Sequence, residues 1–99
     1  MAHMSPDMYR GVLKKANELI NRAKAYLNGR TTDGLIIPII FRKELEDMIL
    51  ECENTKAILS VDIKGLKQNS PKEPEYQNAL GEIYSVQREL QYYKDELFK

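Results

Sequence analysis

The sequence predicts an all-α fold, a three-helix bundle running up-down-up with antiparallel neighbours and self-associating, on three observations. Apolar residues recur at three- and four-residue spacing through three long segments, about 6–28, 38–65 and 74–98. Short polar joints carrying Gly or Pro separate the segments, as between antiparallel bundle helices. The one apolar run that could be a buried strand, Leu35 to Phe41, contains Pro38 and has no second strand to pair with.

The first helix opens at Ser5-Pro6-Asp7, with a serine cap, a proline at the first helical position and an acid near the positive dipole end. Tyr9, Leu13, Ala16, Ile20, Ala23 and Leu27 then follow a 4-3-4-3-4 rhythm. Val12, Leu19 and Tyr26 form a second row, and together the rows suit a helix that touches two neighbours. Ala16 and Ala23 allow close approach, and Gly29 is expected to end the helix in a left-handed cap before a loop from Arg30 to Gly34.

Residues 35–41 place six large apolar side chains around Pro38. Burying each is worth on the order of 1.5–3 kcal/mol. The run is therefore expected to bury in its own bundle, with Pro38 in the first turn of the second helix and Leu35 to Ile37 folding over the bundle end as an apolar plug, or else against a second copy, where it would extend the surface of the second helix. Phe41, Leu45, Met48, Ile49, Cys52, Leu59, Ile63 and Leu66 continue one face, interrupted by Lys56, whose stem can lie over the core. Gly65 is expected as a left-handed cap, with Leu66 folding back on Val61. Ser70 and Glu73 then suggest a capping box, although Pro74 disfavours helical geometry at Glu73. The third helix keeps its heptad through Ala79, Ile83, Val86, Leu90, Tyr93 and Leu97, flanked by Tyr76 and Leu80.

At 99 residues the chain is one domain, residues 5–99 once Met1-Ala2-His3-Met4 is set aside as a cloning remnant. An apolar share of 42% with 30% charged residues fits a folded, helix-rich protein rather than a disordered one. No stretch is long and apolar enough to suggest a membrane span, and the expected location is cytoplasmic. Richness in Lys, Ile, Asn and Tyr fits an AT-rich bacterial or phage gene.

Catalytic, metal and cofactor chemistry finds no residues to carry it. His3 is the only histidine, and Cys52 lies within an apolar stripe with no base beside it. Glu44, Asp47 and Glu51 share a side of the second helix, but the Glu-x-x-His pairs of a di-metal bundle are absent. No glycine-rich phosphate loop occurs. The expectation is a non-enzymatic protein without a cofactor.

What remains is surface. Leu50, Ala57 and Val61 fall about 140–180° from the main stripe of the second helix at 100° per residue, with Ile58 between the two faces. A helix apolar on two sides is either central in its bundle or shared between chains. Tyr84 and Tyr92 lie away from the core face of the third helix, and tyrosines are common contact anchors. These residues point to a protein–protein interaction module: an oligomeric scaffold, adaptor or regulator of a larger partner, with coiled-coil-like contacts. The second reading is a nucleic-acid-binding regulator. Residues 1–30 hold six basic against two acidic residues, and residues 31–99 nine against thirteen. Arg10, Lys14, Lys15 and Arg22 would make the phosphate contacts. They wrap around the helix without an aromatic platform, and acids elsewhere offer them a counter-surface within the protein.

Overall fold

Three apolar stripes at helical period leave the chain one economical arrangement, in which each helix buries its stripe against the other two. The computed structural model describes residues 6–33, 36–67 and 70–99. They form α1 (Pro6–Asp33), α2 (Ile39–Lys64) and α3 (Glu73–Leu97), with no strand among the described residues. The expected Ser5 cap, the Met1–Met4 stretch, Gly34, Leu35 and Asn69 lie outside the described residues. Every helix packs on both others, most extensively at the α2–α3 seam and least at α1–α2. The bundle measures 54 × 20 × 20 Å.

Core composition follows the stripes closely. Tyr9, Val12, Ala16, Ile20 and Ala23 are buried from α1, and Ala79, Ile83, Val86, Leu90 and Leu97 from α3. On α1 it is Val12 that reaches the interior, while Leu13 and Leu27 are half-buried beside it. The α2 row is Phe41, Leu45, Met48, Cys52, Thr55, Leu59 and Asp62, an unbroken 4-3-4-3-4-3 series. Thr55 and Asp62 are polar, which hides them from a search for apolar periodicity. Thr55 meets the demand for a partner locally, because its hydroxyl donates to the Glu51 carbonyl at 2.8 Å. Ile49, Ile63 and Leu66, expected on the buried face, are half-buried at its edges.

Helix ends depart from expectation at three places. α1 runs through Gly29 to Asp33, replacing most of the expected loop. Glycine inside a helix costs only about 1 kcal/mol relative to alanine, which the hydrogen bonds of another turn offset. At the end of α2, Gly65 has φ −82° and ψ −9°, a right-handed conformation rather than the expected left-handed cap. Its N–H is shared between the Val61 and Asp62 carbonyls at 3.1 and 3.2 Å, and Leu66 donates to Ile63 at 3.1 Å. The last turn is thus closed by tightened local bonds. At α3 the Ser70 hydroxyl accepts from the Lys72 N–H at 3.3 Å and its carbonyl from Glu73 at 3.1 Å. The helix begins at Glu73, with Pro74 in its first turn.

The apolar run around Pro38 is the main correction. Pro38 is the extended residue just before α2, and its carbonyl accepts the Phe41 N–H at 3.0 Å. Ile37 is half-buried against the core and Phe41 fully buried, but Ile36, Ile39 and Ile40 are 88, 72 and 59% exposed. The reason is geometric. Once the helix starts at Ile39, Ile39, Ile40 and Phe41 point about 100° apart, so only one of them can face the bundle axis. Phe41 takes that place, with the Tyr26 ring at 4.8 Å and the Arg22 guanidinium at 4.9 Å from its centre. Among the described residues of the run, only Ile37 and Phe41 turn toward the core, so Ile36 is no part of an apolar plug.

Two substitutions separate the spacing of the α2 row from its chemistry. Leu59→Ala should cost about 2–5 kcal/mol of unfolding free energy in urea titrations. Thr55→Val, which keeps the shape and removes a locally satisfied hydroxyl, should stay within about 1 kcal/mol of wild type. A large loss at Thr55→Val would mean that its hydrogen bond, not its place in the row, is what the fold uses.

Candidate interaction surface on the second and third helices

Because one side of α2 is fully consumed by the core, its opposite side is fixed in direction. Leu50 and Val61 lie there, 60 and 57% exposed, with Ala57 exposed one turn before Val61. Ile58 is half-buried and packs partly on the core, so it borders this face rather than belonging to it. Ile39 and Ile40, expected chiefly in the bundle's own core, instead extend the outer surface at the N-terminal end of α2. The signal was present: Ile39, Leu50 and Val61 are spaced by eleven residues, three helical turns and about 20°.

Tyr84 and Tyr92 meet in a groove of about 490 Å³ between α3 and α2, lined also by Ile49, Gln87, Arg88 and Gln91. Both rings are exposed, and each is braced. The Lys56 ammonium stands 4.3 Å from the centre of the Tyr84 ring, and Tyr92 meets Tyr93 edge-on at 5.1 Å. Such bracing leaves little rotamer freedom to lose on contact with a partner. Gln87 ties the groove floor to α2, donating to the Ile49 carbonyl at 3.3 Å and to Glu53 at 2.9 Å. That bond, and then the Lys56 ammonium at 2.9 Å, holds the Glu53 carboxyl below its ordinary range.

Basic residues on α1 meet the acids of α2. Lys15 reaches Glu51 at 2.7 Å and Arg22 reaches Glu44 at 2.7 Å, across the thin α1–α2 seam. The Glu44 bond raises the Arg22 pKa further. Arg10 also makes an internal interaction, and Lys14 is exposed. Two of the four candidate phosphate contacts are therefore engaged by carboxylates. Asp47 lies 3.6 Å from Lys43, and no group of His, Cys, Asp or Glu among the described residues is placed to hold a metal ion. No helix among them is long and apolar enough to cross a membrane.

No family model matches the chain, and no curated protein or solved structure matches it either.

Cys52 is fully buried, and desolvation, followed by the Glu51 charge, pushes its thiol up to about 11. Since the raised pKa favours the neutral thiol in the folded state, the stability it contributes is present below the unfolded value near 8.5 and is lost as pH rises toward 11. A thiol reagent should therefore label the native protein far more slowly than the urea-unfolded chain. Equal rates would show that the α2 row is open to solvent.

Proposed function

We propose that this chain is a non-enzymatic helical protein-interaction module, a scaffold, adaptor or regulator that works through the outer face of α2 and the neighbouring tyrosine groove. The observation that carries this is the exposure of Leu50 and Val61, in line with Ile39, on a helix whose other side is fully committed to the core. Scattered surface hydrophobes are common, but aligned ones with braced aromatics nearby form a surface suited to burial against a helix. Self-association belongs to this reading.

An up-down-up antiparallel course is supported by the order of the crossings. Lys15 meets Glu51 and Arg22 meets Glu44, so positions descend on α2 as they rise on α1. Gln87 meets Glu53 and Lys94 meets Glu46, the same reversal between α2 and α3. The Tyr9 hydroxyl donates to Glu75 at 2.8 Å, joining the beginnings of α1 and α3. This course leaves the outer face of α2 uninterrupted along its length. The nucleic-acid reading draws less support, because Lys15 and Arg22 already face carboxylates.

The test compares wild type with Leu50→Asp/Tyr84→Ala/Tyr92→Ala as bait against extract of the source cell and against itself. All three positions are exposed, so the variant should keep its helicity and lose little stability. Wild type should retain a protein, another chain or its own, that the variant releases. Equal retention by both, or retention by neither, would end the proposal.

A further inference from the structure

We infer that the outer face of α2 docks on the same face of a second copy, antiparallel, about a two-fold axis passing beside Leu50. The inference rests on the interaction reading above and names its partner.

An isologous contact requires a face that is its own complement after a half-turn. Ile39, Leu50 and Val61 meet that requirement, because Leu50 sits midway between the other two. Reversing the helix about Leu50 lays residue i opposite residue 100 − i. Leu50 then meets Leu50, and Ile39 meets Val61 of the second copy at both ends, along about 33 Å of helix. Ile40 falls level with Ser60 and two residues from Ile58, which shares its edge of the helix. Lys43 falls on Ala57, whose small side chain leaves room for the lysine stem. Asp47 falls level with Glu53 and one residue from Asn54, whose amide can donate to the carboxylate.

Other registers lose this match. Sliding by one turn sets Leu50 against Glu46 or Asn54. A parallel pairing sets Lys43, Glu46, Asp47 and Glu53 each against its own counterpart, stacking like charges. In the antiparallel register the close like charges are Glu46 and Asp47 against the second copy's Glu53. Each is already compensated in its own chain, Glu46 by Lys94 at 3.4 Å, Asp47 by Lys43 at 3.6 Å and Glu53 by Lys56 and Gln87. The ends of α2 thus acquire a use: Ile39 and Ile40, which the bundle cannot bury, cover Val61 and Ile58 of the second copy.

Cysteine scanning in the otherwise wild-type chain tests the register. Buried Cys52 gives the control, since the wild type should form no cross-link. Leu50→Cys should close a disulfide with itself under mild oxidation, taking the 11.5 kDa chain to about twice that mass. Val61→Cys alone should not, because its two copies lie about 33 Å apart. Mixed Ile39→Cys and Val61→Cys chains should cross-link to each other. A dimer by light scattering in which Val61→Cys self-links as readily as Leu50→Cys would overturn the register and leave self-association standing. A strict monomer that still captures another protein through these residues would overturn the second copy and leave the interaction reading. A chain that does neither would overturn both.

Discussion

The 4-3 row of α2, from Phe41 through Leu45, Met48, Cys52, Thr55 and Leu59 to Asp62, is the constraint on which the other features depend. It faces both neighbours, so its direction fixes where every other α2 side chain goes. Residues one turn aside become the seams: Glu44 and Glu51 toward α1, Glu46, Ile49 and Glu53 toward α3. Residues opposite become the outer face, where Ile39, Leu50 and Val61 stand in water. Stability and the proposed function are thus assigned to opposite sides of one helix.

That division explains the charge pattern without invoking nucleic acid. The basic α1 and the more acidic α2 meet at the least extensive of the three seams, where Lys15–Glu51 and Arg22–Glu44 bridge the helices. Exposed pairs of this kind contribute little stability each, with a median near 0–1 kcal/mol. Their larger effect is to fix which charges face which, and hence how α1 is set against α2.

Much of this was legible in the sequence, because helical period and burial are tightly linked. The three stripes marked the helices and most of the core. Thr55 and Asp62 are hidden from apolar periodicity because they are polar, whereas the 4-3 spacing alone marks their positions. Gly29 and Gly65 misled for a related reason: glycine permits a left-handed stop but does not require one. The run around Pro38 misled through energetics. Its burial would be worth a great deal, yet consecutive helical residues diverge by about 100° and cannot share one interior. On the outer surface, Leu50 and Val61 were legible as residues opposite the core, and Tyr84 and Tyr92 as outward aromatics. That the tyrosines share one groove with Ile49 depends on how α2 and α3 are set against each other, which no single-helix pattern contains.

In the proposed reading the two sides of α2 do different work, one holding the bundle and the other meeting a second chain. Methyl NMR during dilution tests it most directly. The Ile39, Leu50 and Val61 methyl signals should move together as the protein is diluted, while those of Leu45 and Leu59 in the core stay fixed. Spectra unchanged over the whole range in every methyl, or shifts spread equally through core and outer face, would contradict it.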